Sequence, residues 1–234
     1  MSTQSSFIGL PARLALEGEQ WKQHLWQALC ELRVWSPGTV QSVDWDSLPQ
    51  PTVSVQLGVR ENINVNLVPT ATALPVITVP FFVMRSGGFL LTMPVAQGDE
   101  CIVLFGDNDW HGWWQSGGVQ NQPQRRRHDI RDGVAIFGLS SWARPVENYS
   151  KTTAQLRTED GDSYVEVTGG HVVNIVAPSG CNINGVHIDS SGNVTSPGTV
   201  TASGEGTFNG GHTVSAHKHG EVQSGSAQSG TPTG

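Results

Sequence analysis

Charge is scarce in this sequence. Only 14% of its 234 residues are Asp, Glu, Lys or Arg, and the formal balance is −7. The one basic cluster is Arg125-Arg126-Arg127. A nucleic-acid ligand needs a broad positive face, so nucleic acid is excluded as the main partner. Cysteine is rarer still. Cys30, Cys101 and Cys181 are odd in number and widely spaced, and no two form a Cys-x-x-Cys pair. Neither a disulfide framework nor a zinc knuckle follows. Long apolar runs are missing too. The longest, Leu74 to Met84, is broken by Pro75 and Pro80 and is too short to span a bilayer. Met1 to Leu10 has no basic start followed by an apolar core, so no signal peptide is expected. The chain is expected to be made, and kept soluble, in the cytoplasm.

Catalytic signatures are also absent. Gly-x-Ser-x-Gly, His-Glu-x-x-His and the P-loop do not occur. Asp44 with Asp46, Asp107 with Asp109, and Glu159 with Asp160 and Asp162 fall in expected turns and read as solvated. Paired carboxylates serve glycosidases as acid and base, but no sequence block of a size to hold such a site is inserted. Asp160-Gly161-Asp162 resembles part of a calcium loop but lacks the other ligands. No catalytic residue is assigned, and the expectation is a protein that is not an enzyme.

What is present is glycine, 28 residues of it, with alternating short apolar stretches. This favours β structure and turns. One helix is expected first, from Glu19 to the stop at Ser36-Pro37-Gly38, within an N-terminal arm of residues 1–33. Trp21, Leu25, Trp26, Leu29 and Leu32 recur at helical steps. Such a stripe either packs on the helix's own domain or docks on a partner chain. Residues 34–142 then read as one compact β domain. Thr39 to Trp45, Val53 to Leu57 and Val59 to Leu67 alternate, and Ser86-Gly87-Gly88 is a turn between Val76–Met84 and Phe89–Met93. Cys101 to Phe105 is a buried strand. Five strands in about a hundred residues suit a small closed barrel of OB-fold type. Trp110, Trp113 and Trp114 lie beside Asp107 and Asp109 rather than among lysines, so they are packing or interface residues, not a base-stacking platform.

All eight tryptophans lie at or before Trp142, and the composition changes there. Residues 143–163 read as a linker. From Tyr164 to Val214 the apolar residues thin out, and Ile188, Val194 and Val200 are six apart. One apolar residue in six makes no core within one chain. Such repeats bury their apolar face only by stacking or by assembling with copies. A trimeric β-helix and a single-chain β-solenoid both meet that need.

Residues 215–234 hold Ala216-His217-Lys218-His219-Gly220 and then a Gly, Ser, Thr and Gln tail. In an extended chain His217 and His219 point to one side. One such pair is a poor metal site. Three pairs on a three-fold axis supply six imidazoles, an octahedron that suits iron(II) better than four-coordinate zinc. The other reading is two exposed histidines in a loose tail. His212 stays outside the site, and His24, His111, His128, His171 and His187 read as structural. His187 should face away from Val186 and Ile188.

Several motifs occur together. Leu90-Leu91-Thr92-Met93-Pro94-Val95, Gly98-Asp99-Glu100, Trp110-His111-Gly112-Trp113-Trp114-Gln115-Ser116-Gly117-Gly118 and Arg127-His128-Asp129 follow one another within residues 75–140. In this combination the chain resembles the baseplate central-spike proteins of contractile-tailed phages, the membrane-piercing needle tips with a Gp138-type N-terminal domain. The resemblance implies an OB-fold-like collar at 34–142, an intertwined trimeric β-helix shaft at 164–214 and a metal-bound apex at 215–234. It implies a homotrimer with one iron (Fe2+) on its axis, held by His217 and His219. The implied partners are baseplate hub and tail-tube proteins and, transiently, the host outer membrane; the implied place is the tip of the virion tail. Two other classes remain. A trimeric receptor-binding fibre or adhesin would end in an aromatic-rich head, whereas no aromatic follows Phe208. The spike of a contractile secretion system is a near relative of the phage spike.

Overall fold

The computed structural model describes residues 10–47, 50–65, 68–208, 212–213 and 225. The chain divides after Val146 into two compact units.

The first unit begins with helix α1, Leu10–Glu31. It starts nine residues before the expected Glu19. Pro11 sits in its first turn, where the missing N–H costs nothing. Gly18 is tolerated inside at about 1 kcal/mol. The helix also stops sooner than Ser36-Pro37-Gly38. Those three residues belong to strand β1, Trp35–Asp44. Next come β2 (Thr52–Leu57), the hairpin β3 (Glu61–Val65) and β4 (Val68–Thr72), and β5 (Ile77–Pro80). The expected long strand Val76–Met84 breaks after Pro80, whose ring removes a ladder donor. A separate hairpin follows, β6 (Met84–Ser86) and β7 (Phe89–Leu91). Its two-residue turn, Gly87-Gly88, has φ of 57° and 85°, values glycine takes without steric cost. Then come β8 (Glu100–Phe105), helix α2 (His111–Ser116) and β9 (Gly133–Phe137).

Five of these strands form one antiparallel sheet in the order β5-β2-β1-β8-β9. The sheet curls until its two edges meet, because Phe81 bridges Ala135 in parallel and the Phe82 N–H donates to the Ala135 carbonyl at 2.8 Å. Alternate residues point inward. Val40, Val53, Val55, Leu57, Val79, Cys101, Val103, Phe105 and Ala135 form the buried core, with Ile77 and Val95. Full burial stabilises by about 1.5–3 kcal/mol per such side chain. Cys101, Val103 and Phe105 are buried as expected, but Leu104 points out and Ile102 only half-buries, so this apolar run alternates like the others. Gly133 is required by packing: a Cβ there would lie 2.9 Å from Val103 Cγ1.

The second unit is all short antiparallel strands. β10 (Thr153–Arg157), β11 (Tyr164–Thr168) and β12 (Val173–Val176) form one meander. The segment expected as a linker, 143–163, therefore carries a strand. A second meander joins β13 (Cys181–Ile183), β14 (Val186–Ile188) and β15 (Val194–Thr195). Its first turn is Asn184-Gly185, with φ of 49° and 86°, the pair that a tight hairpin demands. A last pair is β16 (Thr207–Phe208) and β17 (His212–Thr213). A single-chain solenoid stacks parallel coils. The described strands of this unit pair only antiparallel, which removes that alternative.

Candidate functional sites

The second unit has a face rather than a cavity. In the first meander, Ala154 pairs with Val167 and Val167 with Val173; Leu156 pairs with Val165 and Val165 with Ile175. These six side chains form two rows across one face of the sheet. All are exposed, Leu156 and Val173 at 60% and Val165 at 41%. The opposite face is polar and organised. The Glu166 carboxylate accepts hydrogen bonds from Thr153 Oγ1, Gln155 Nε2 and Asn174 Nδ2, each at 2.9 Å. Those bonds, first Asn174's, hold its carboxyl below the ordinary glutamate value. The sheet is thus polar where it is ordered by its own side chains and apolar where nothing of its own covers it.

The second meander repeats the arrangement. Cys181, Ile188 and Val194 form one cross-strand row, and Ile183 pairs with Val186 on the same face. Asn182, His187 and Thr195 form the other face, where His187 Nδ1 lies 2.9 Å from Asn182 Oδ1. His187 does face away from Val186 and Ile188. No described side chain of residues 147–208 is buried, and the whole buried apolar cluster lies in the first unit.

The first unit holds the only group of described residues with the composition of a metal site: Asp109, His111 and Asp132. Asp109 follows β8 by a short turn, His111 opens α2, and Asp132 precedes β9. Asp109 and Asp132 are buried, at 5% and 0% exposure. Reading Asp109 as a solvated turn residue is therefore wrong; its neighbour Asp107 is the exposed one. His111 Nδ1 lies 3.1 Å from one oxygen of each carboxylate. A carboxylate only accepts, so Nδ1 carries the hydrogen. Arg126 completes the cluster. Its Nε and Nη2 grip Asp132 at 3.1 and 2.8 Å, and Nη2 lies 2.9 Å from Asp109.

The guanidinium already occupies the place of a cation between the two carboxylates, so these residues do not fit a metal ion. Burial pushes the Asp109 carboxyl up, but the His111 hydrogen bonds and the Arg126 charge outweigh it and leave it below the ordinary value. The Asp132 hydrogen bond raises Arg126. Trp110 donates from Nε1 to the Asp132 carbonyl at 2.9 Å and stacks on His111. The cluster is thus a buried brace that ties α2 and the arginine segment to the barrel. Asp-x-His followed by a buried arginine has no spacing signature, so its sequence signal was only the density of the motif residues around it.

His128, read as structural, is so: its Nδ1 donates to the Arg33 carbonyl at 2.9 Å. His217 and His219 lie outside the described residues, as does nearly all of 215–234. His212 faces Phe208 across β16 and β17. No helix is long and apolar enough to cross a membrane among the described residues.

Comparison with known families finds two matches. Residues 36–138 match the family described as Phage protein Gp138 N-terminal domain, and residues 213–233 match the GpV Apex motif. No curated protein matches the chain.

Proposed function

We propose that this chain, whose residues 36–138 and 213–233 match a phage Gp138 N-terminal domain and a GpV Apex motif, is a structural protein of the phage baseplate spike, and that three copies wind about one axis to form the piercing spike of a contractile tail. The observation that carries the proposal is the uncovered face Ala154, Leu156, Val165, Val167, Val173 and Ile175, in a unit where no described side chain is buried. Three such faces turned toward one axis bury each other. Free strand edges meet a neighbour, which removes the hazard of open edges. The expected shaft segment 164–214, extended at its start by β10, then forms the trimeric β-helix shaft.

Residues 34–142 form the collar, an OB-fold-like barrel. The ring order and the parallel contact between its third and fifth strands, at Phe81 and Ala135, support this reading. The collar joins the hub or tail-tube end. Residues 215–234 form the tip. The metal-binding apex fits the donor set: His217 and His219 from three chains offer six neutral nitrogen ligands, a set for a six-coordinate first-row ion such as Fe2+. When bound, the ion supplies a cross-link that keeps three chain ends from fraying. Sheath contraction supplies the force, and the spike supplies stiffness and a small point through which the host outer membrane is crossed. No bond is made or broken in this role.

The test is elemental analysis of the untagged chain together with its mass by sedimentation. One iron per three chains on a trimer is expected. His217→Ala with His219→Ala should remove the iron and lower the melting of the distal segment while the collar transition stays in place. A trimer whose metal content and melting are the same in the double variant would refute the apex assignment.

A further inference from the structure

The collar carries two apolar surfaces that its own chain leaves apart. The first is on helix α1. Trp21, Leu25, Trp26, Leu29 and Leu32 are all exposed, Trp21 at 75% and Trp26 at 69%, so the stripe does not pack on its own domain. The second is on the outside of the barrel. β1 pairs β8, and β8 pairs β9, in a register that sets Trp35, Leu104 and Val134 in one outward row and Pro37, Ile102 and Ile136 in the next. The outer face of an antiparallel sheet is normally polar. Here six apolar side chains form a grid, with Trp35 at 55% and Leu104 at 38% exposure. Val134 also lines the cleft of Trp110 and Trp113, which extends the patch.

The sizes match. Trp21 to Leu32 spans about 17 Å of helix, and a six-residue strand is about 20 Å long. The obvious intramolecular solution, α1 folded back over β1, is obstructed by the connection. Only Leu32, Arg33 and Val34 separate helix from strand. A reversal that short uses a left-handed residue, usually glycine, at the helix end, and none of the three has a positive φ. The connection is also pinned. Arg33 grips the Glu61 carboxylate, its carbonyl accepts from His128, and the Val34 carbonyl accepts from Phe105 N–H at 3.0 Å.

We propose that α1 of one copy lies across the β1-β8-β9 wall of a neighbouring copy, so that the collar of the trimer is closed by exchanged helices. This rests on the trimeric reading of the shaft and adds a second, separate interface to it. It makes the N-terminal arm a clasp between protomers.

The experiment uses the full chain carrying Cys30→Ser and Cys181→Ser. Cys101 is left in place, because burial pushes its thiol up to about 11 and keeps it from reacting. Ala28→Cys adds a thiol beside Leu25 and Leu32, and Leu104→Cys adds one on the wall. A short bismaleimide is applied and the products are run on a denaturing gel, with sedimentation of the untreated sample alongside. Covalent dimers and trimers that form only when both cysteines are present are the expected result. A loop closed within one chain, a ladder from Ala28→Cys alone, or no cross-link in a trimeric sample would each overturn the exchange and leave the trimer standing. A monomeric sample would remove the trimeric reading itself, and the proposal with it.

Discussion

Ile175→Ala distinguishes a covered shaft face from a free one. Ile175 is 52% exposed in the single chain and sits in the cross-strand row with Val165 and Leu156. If neighbours cover it, the substitution removes apolar contacts and leaves a gap, which costs about 2–5 kcal/mol for a fully buried site. About half of that burial is already made within the chain, so about 1–2 kcal/mol per copy is expected. Three copies share the axis, so the trimer loses about 3–6 kcal/mol. If the face stays in water, the change is that of a surface substitution, about 0.5 kcal/mol or less. The assay is denaturant unfolding at several protein concentrations with sedimentation in parallel, because an obligate assembly has a concentration-dependent midpoint. Asn174→Ala, on the opposite face, is the control; it removes one bond to Glu166 and should act without altering the concentration dependence. An Ile175→Ala trimer within about 0.5 kcal/mol of the parent would refute the argument that this face is an interface.

Two further outcomes concern the collar. Arg126→Met should destabilise it by about 3–5 kcal/mol, since Asp109 and Asp132 would stay buried without their counterion; denaturant midpoints of the collar transition measure this, and a loss under about 1 kcal/mol would show that the brace is dispensable. Asp109 has a folded value below the ordinary carboxyl value, so in acid the unfolded chain binds the proton first. Its contribution is complete above about pH 4 and is lost as pH falls through the folded value. Collar midpoints should therefore fall as pH drops below about 4, and a flat profile would contradict the assignment.

The curled sheet was readable because alternation in Val53 to Leu57 and Cys101 to Phe105 reports one wet and one dry face, and the fold obeys it. The shaft was readable only as an insufficiency: Ile188, Val194 and Val200 are too few for a core, yet nothing in their spacing distinguishes copies from coils. The antiparallel pairing argues against parallel coils, and its signal was present in Asn184-Gly185, a turn pair whose backbone preference is local. The first helix was placed too late because residues 1–18 are polar and weakly patterned, although a helix that propagates well extends through such a stretch and tolerates the internal Gly18. The Asp109–His111–Arg126–Asp132 brace was not readable. Its members are up to 23 residues apart and are brought together by β8 and β9. Carboxylates beside turns look solvated until the tertiary fold buries them.

No described side chain of residues 147–208 is buried, and this bears on the order in which the proposed trimer is built. The collar has its own core and can form as each chain leaves the ribosome. Under the trimeric reading, folding and association of the second unit are one event, because its short sheets bury little within one chain. In the trimeric arrangement proposed above, the first unit emerges first and, gathered in threes, would raise the local concentration of the segments still to be ordered. In that scheme the part of the chain made last is also the last to assemble.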